Sequence, residues 1–181
     1  MENKELRLFI AVDMPNEIKK ELQDSIQILK EATISGRFSY ATGAHTTLAF
    51  IGNTTSDVVK PLIEIIDKCF NKKIAITIRG FGSFKRSYGD IVFRKPTFPE
   101  FFIKQVEELK SEIRKKGIQM DDKPFNPHVT LSRNTTFKEN VEVEELPYNE
   151  LSCEISEVIL FDSLLKENGE IYKPLYKKEL K

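Results

Sequence analysis

The chain has two histidines, His45 and His128, and each opens a copy of His-x-Thr-Leu, in "AHTTLAF" (44–50) and "PHVTLSR" (127–133). Each copy follows a helix-patterned segment and a short connecting stretch. The two halves of the sequence therefore repeat weakly as helix, short segment, and strand opening at histidine. Such a chain is expected to form two lobes with strands facing each other. On a strand, residues i and i+2 share a face. His45 and Thr47 then point one way, with Thr46 and Leu48 behind them. His128 and Thr130 do the same, with Val129 and Leu131 behind.

The remaining pattern fills in an α+β order. "LRLFIAV" (6–12) reads as a mostly buried strand bounded by "DMPN". In "PNEIKKELQDSIQILK" (15–30), Ile18, Leu22, Ile26 and Leu29 recur at helical spacing, with Asp13 as a cap and Pro15 in the first turn. A short strand and turn are expected over 36–43, then a strand over 45–51 ending at Gly52-Asn53. A second helix follows over 56–70, its start disturbed by Pro61. Then come a strand (73–81), a polar basic loop (82–89) and a returning strand (90–94). The third helix, 98–117, lines up Phe102, Val106, Leu109 and Ile113 between Pro99 and Gly117. Further strands are expected at 128–133, 151–163 and 170–180, the last two joined by the turn "KENGE". The order is β-α-β-β-α-β-β-α-β-β-β, with no linker or low-complexity segment, so residues 1–181 are taken as one domain.

Two imidazoles and two hydroxyls facing one cleft match what phosphodiester hydrolysis needs. In an in-line displacement the attacking and leaving oxygens lie on opposite sides of phosphorus. One imidazole can deprotonate the nucleophile and the other protonate the leaving alkoxide, each within about 3 Å of its oxygen. An unperturbed pKa near 6.5 lets one ring be neutral and the other cationic around neutral pH. The threonine hydroxyls can donate to the non-bridging oxygens. This scheme calls for no metal and no cofactor.

Composition limits the alternatives. Twenty-eight basic and 28 acidic residues balance, so no global field draws in long nucleic acid, although a local pocket can still take a terminal phosphate. Cys69 and Cys153 form no C-x-x-C pair and are expected as reduced, buried thiols. "MENKELRLFIAVDMP" has neither the apolar run nor the cleavage site of a signal peptide, and no apolar run reaches membrane-spanning length, so a cytoplasmic chain with no membrane partner is expected. There is no P-loop, no G-x-G-x-x-G, no G-x-S-x-G and no H-E-x-x-H. A metal held by the two histidines with carboxylates, and a cysteine nucleophile paired with one of them, remain as lesser alternatives. Phe9 and Phe50 are assigned to the core in preference to a ligand pocket, and Lys85 and Arg86 to a solvated loop in preference to a ligand contact.

The chain resembles the two-histidine (2H) phosphoesterases, and within them the bacterial and archaeal RNA 2',3'-cyclic phosphodiesterases, also called 2'-5' RNA ligases. The resemblance spans nearly the whole chain through "LRLFIAVDMP", "HTTLAFIGN", "GFGSF", "PFNPHVTLSR" and "FDSLLKENGEIYKPL". It implies a bilobal, duplicated α+β fold: two antiparallel sheets facing a central cleft, with helices outside. It implies opening of a 2',3'-cyclic phosphate to a 2'-phosphate, with joining of tRNA halves through a 2'-5' bond by some members, and no metal or nucleotide cofactor. By the same resemblance His128 is the general base, His45 the general acid, and Thr47 and Thr130 hold the phosphate. Arg133 matches an arginine of the family pattern, yet strand parity turns it away from His128 unless the strand bends. RNA 3' ends or nucleoside 2',3'-cyclic phosphates are the implied substrates, and a monomer is expected. Phe38 stands where many relatives carry Trp, and "ATGAH" replaces a commoner approach to the first motif, which bears on substrate preference. Two other readings are another small cyclic or 2'-5' phosphodiester as substrate, and a non-catalytic nucleotide-binding module on the same fold. A complete acid–base pair argues against the module.

Overall fold

The apolar periodicities resolve into nine strands and three helices among the described residues, which in this computed structural model are 4–167 and 169–181. Residues 1–3 and Asn168, which falls in the expected "KENGE" turn, lie outside them. The order begins β1 (Glu5–Asp13), α1 (Asn16–Ala32), β2 (Thr33–Phe38), β3 (His45–Thr55), α2 (Val59–Cys69) and β4 (Ile74–Phe84). It continues with β5 (Asp90–Thr97), α3 (Glu100–Lys115), β6 (Val129–Phe137), β7 (Leu151–Ile155), β8 (Glu157–Lys166) and β9 (Gly169–Glu179). Two antiparallel sheets result, ordered β3-β1-β8-β9 and β2-β6-β5-β4-β7. This is the α+β class the sequence predicts.

Each helix covers a sheet with its apolar stripe. Ile18, Leu22, Ile26 and Leu29 of α1 are buried, and α1 lies against β2, β6 and β7. The helices α2 and α3 pack on each other and against the first sheet. One continuous core joins these helix faces to both sheets. A second, smaller cluster sits apart: Phe9, Ala11, Ile159 and Phe161, with Phe50 and Tyr172 against it. It forms the other face of the first sheet. No helix among the described residues is long and apolar enough to cross a membrane.

Three departures from the sequence-based expectation have physical causes. The strand over 45–51 runs on to Thr55, because Gly52 takes a left-handed φ of +80° at an irregularity and pairing with β1 continues. The loop over 82–89 shrinks to residues 85–89, since β4 extends through "GFGSF". Gly82 is required there, as a Cβ would lie 2.8 Å from the Phe93 ring. The stretch 151–163 is two strands that belong to different sheets: β7 pairs with β4, and β8 pairs with β1 and β9. The chain crosses over at Ser156, whose carbonyl accepts the Leu180 N–H at 2.8 Å. Leu151, Ile155 and Val158 are buried on both sides of the crossing, and only the polar pair Ser156-Glu157 interrupts the pattern there.

Candidate active site

Both His-x-Thr-Leu copies come to one cleft. His45 is the first residue of β3, and His128 immediately precedes β6. A cleft of about 420 Å³ is lined by His45, Thr47, His128, Thr130 and Arg133 together. The two motif strands are tied directly: the buried Thr46 hydroxyl donates to the His128 carbonyl at 3.2 Å. The x-position of one motif thus fixes the histidine of the other. Thr46→Val is expected to remove this bond at a cost of about 1 kcal/mol. Differential scanning calorimetry then shows Tm lower by roughly 2–4 °C. An unchanged Tm would mean that the bond does not hold the strands.

The two imidazoles are held alike. His45 Nδ1 lies 2.8 Å from the Gly43 carbonyl, and His128 Nδ1 lies 2.7 Å from the Asn126 carbonyl, each two residues upstream. A carbonyl can only accept, so Nδ1 carries the proton in both rings. Nε2 of each is left for chemistry, as an acceptor when the ring is neutral and a donor when it is cationic. Gly43 closes a 3₁₀ turn (Ala41–Gly43), which presents its carbonyl to His45.

Each ring rests on aromatic side chains. His45 has Phe9 at 5.2 Å and Tyr172 edge-on at 5.1 Å, and His128 has Phe84 edge-on at 5.1 Å and Phe93 at 5.4 Å. This burial is the main cause that lowers both imidazoles from their ordinary 6.5. At His45 the Gly43 carbonyl and the Asp13 carboxylate pull the value back up, while His128 and Arg133 push it down. At His128 the Asn126 carbonyl raises it and Arg133 lowers it. Asp13 is the cross-strand partner of His45, and its carboxylate also binds Lys19 Nζ at 2.8 Å. Among the causes that shift His128 there is no carboxylate.

Strict alternation would bury Arg133, and a β-bulge prevents this. In β6, Thr130 pairs with Phe93 and Ser132 with Val92, so Leu131 is the extra residue. Leu131 and Ser132 are consecutively buried at 1% and 0% exposure, and Arg133 returns to the side of Thr130. The first motif does the same. Thr47 pairs with Ala11 and Ala49 with Ile10, leaving Leu48 extra, and Leu48 and Ala49 are consecutively buried. Phe50 and Arg133 therefore occupy the same place, five residues after each histidine. Phe50 is half-buried beneath the Arg7 guanidinium at 5.0 Å, and Phe9 is 3% exposed beneath His45.

The other sequence candidates lie elsewhere. Lys85 pairs with Asp90 at 2.7 Å and Arg86 stands 5.8 Å over Phe84, both outside the cleft lining. Cys69 is buried and Cys153 half-buried, and burial pushes both thiols up to about 11, far from a nucleophile's range. No group of three or more His, Cys, Asp or Glu suited to a metal occurs among the described residues. Sequence reasoning did not single out Arg37, Tyr40 and Tyr172 in the cleft lining, nor Asp13 as a partner of His45. Their placement depends on β2 joining β6 and β9 joining β8, pairings that local sequence does not encode.

No protein-family model matches the chain. It is 27% identical over 176 residues to the RNA 2',3'-cyclic phosphodiesterase of Thermotoga maritima, covering 94% of each protein. To the protein of that name from Escherichia coli K12 it is 29% identical over 174 residues, covering 93% of each. Among solved structures, E. coli LigT complexed with 3'-AMP superposes with a TM-score of 0.82 at 27% identity, over 98% of this chain and 99% of that one. A structure described as a phosphoesterase gives 0.81 at 26% identity, over 98% and 99%.

Proposed function

We propose that this chain, a member of the two-histidine (2H) phosphoesterase family, is an RNA 2',3'-cyclic phosphodiesterase that opens the cyclic phosphate to a 2'-phosphate by paired-imidazole catalysis. The observation that carries the reading is the matched pair of histidines. Both have Nδ1 locked on a carbonyl and Nε2 unengaged among the described residues, and both line one cleft. In the proposed step, neutral His128 takes a proton from water through Nε2 as the water oxygen bonds to phosphorus. The P–O3' bond breaks, and cationic His45 gives its Nε2 proton to O3'. Burial lowers His45 most, and the Asp13 carboxylate beside it offsets part of that by favouring the cationic form, which supports His45 as the acid. Thr47, Thr130 and Arg133 receive the charge on the non-bridging oxygens. A 5'-hydroxyl in the water's place would give a 2'-5' linkage by the same displacement. One chain supplies every group in the scheme, so a monomer suffices.

The test is hydrolysis, in EDTA, of an RNA oligomer ending in 2',3'-cyclic phosphate, with the product identified by phosphorus NMR. A 2'-phosphate is expected. A 3'-phosphate would reverse the assignment of the broken bond, and no turnover by folded protein would reject the activity.

The pH dependence carries its own sign. The profile of kcat/KM reports the free enzyme, in which one imidazole must be protonated and the other neutral. Both are lowered by burial, so the bell is centred below pH 6.5 and falls through neutrality. Because the two rings interact, the limbs belong to the pair. A bound phosphodiester anion raises both rings, so the kcat profile lies to the alkaline side of the kcat/KM profile. A kcat/KM optimum above pH 7 would contradict the burial of the pair.

A further inference from the structure

Arg37 of β2 is the direct cross-strand partner of Arg133 of β6. Directly opposed residues share a face with their Cα atoms about 4.5–5.5 Å apart, and like charges so placed repel. Neither guanidinium forms an ion pair or hydrogen bond among the described residues, and both line the cleft that holds the histidines. The pair is not equivalent toward the histidines. The charge of Arg133 bears on both imidazoles, while Arg37 lies one strand further out, on the edge strand beyond β6. A cyclic phosphodiester brings one negative charge. The cleft lining also holds one carboxylate, Glu170, which is paired with Arg7 at 3.2 Å, and Asp13 stands beside His45, so a lone cyclic nucleotide meets two arginines that no carboxylate pairs among the described residues.

Three residues on, Tyr40 is 80% exposed at the same rim. Its backbone is anchored on both sides. The Ser39 N–H donates to the Leu131 carbonyl at 2.8 Å, and the Tyr40 carbonyl accepts the Gly43 N–H at 3.0 Å. The exposed ring therefore stands on a fixed backbone in the same cleft lining as the unpaired Arg37, a combination of aromatic face and cation that suits single-stranded nucleic acid.

We propose that Arg37 and Tyr40 form a subsite for the penultimate nucleotide of a single-stranded RNA 3' end, a proposal that rests on the RNA phosphodiesterase reading above. Arg37 binds the phosphodiester that joins the last two nucleotides, and Tyr40 stacks on the penultimate base. Base stacking is sequence-tolerant, so the subsite selects for chain length and not for sequence.

The test uses binding of product-like probes, which needs no turnover: a trinucleotide ending in a 2'-phosphate and a nucleoside 2'-monophosphate, measured on the wild type and the Arg37→Ala, Arg37→Lys, Tyr40→Ala and Arg133→Ala variants. The expected result is that Arg37→Ala lowers the ratio of trinucleotide to mononucleotide affinity about tenfold and reduces the salt slope for the trinucleotide by about 0.7, one phosphate's share on a single strand. Arg37→Lys keeps the slope. Tyr40→Ala lowers the ratio about fivefold or more. Arg133→Ala weakens both probes alike. An unchanged ratio in Arg37→Ala, from loss on both probes or on neither, overturns the subsite. Absence of turnover on cyclic-phosphate RNA, with these ratios intact, would instead remove the catalytic reading and leave the subsite standing.

Discussion

His45→Ala and His128→Ala will each lower kcat on RNA ending in 2',3'-cyclic phosphate by roughly 10²–10⁴-fold, the usual contribution of a positioned acid or base. The proposed step uses both rings in one transition state. Loss of the base leaves water undeprotonated as it attacks, and loss of the acid leaves O3' departing as an alkoxide. The double variant is therefore expected to be little worse than the poorer single one, because groups that act as a unit are far from additive. Steady-state kinetics on the three variants, with Tm measured beside them, makes the comparison. Near-native kcat in either folded single variant would remove that histidine from the chemistry. Losses that multiply in the double variant would mean that the two rings act in separate steps.

Arg133→Ala is the second large effect. Arg133 lies on the pocket side with Thr130, and its charge reaches both imidazoles. Placed at the phosphate, it stabilises charge on the non-bridging oxygens, and loss of one such donor costs roughly 10²–10³ in kcat. Arg133→Lys should recover only part of this, because an ammonium cannot present the planar fork of a guanidinium. Removing this charge also releases the imidazoles from one cause that lowers them, so the kcat/KM profile of Arg133→Ala should move to higher pH. Arg133 takes part in no ion pair among the described residues, so Tm should change little. A Tm loss that accounts for the lost activity, with an unmoved pH profile, would assign Arg133 to the scaffold.

Arg133 also marks where sequence reasoning stops. Parity along "HVTLSR" places His128 and Thr130 on one face, and the structure puts both in the cleft lining. The same parity turns Arg133 inward, and the bulge at Leu131 cancels it. A bulge is set by how two strands pair, and β5 is distant from β6 in sequence, so "TLSR" carries no local trace of it. The duplicated bulge at Leu48 was equally hidden, and with it the return of Phe50 to the face of Thr47.

The fold follows the same division. The helices were legible, because Ile18, Leu22, Ile26 and Leu29, or Phe102, Val106, Leu109 and Ile113, declare a buried face by spacing alone. The passage of the chain from one sheet to the other at Ser156 was not, because Ile155 and Val158 are both fully buried and only the polar pair Ser156-Glu157 stands between them, as it could within one strand. The rings that bury the histidines come from four other strands, β1, β4, β5 and β9. Their effect on the imidazoles is a property of tertiary packing, as is the opposition of Arg37 and Arg133.

The measurement that bears most directly on the pairing of His45 and His128 is the pH dependence of kcat/KM for the wild type and the two single variants on the same cyclic-phosphate RNA. In the wild type the two limbs belong to the interacting pair, and each single variant leaves one ring to titrate alone. His128→Ala should abolish the acid limb and His45→Ala the alkaline limb, each leaving the other. Two variants that both keep a complete bell would contradict acid–base pairing of the two motifs.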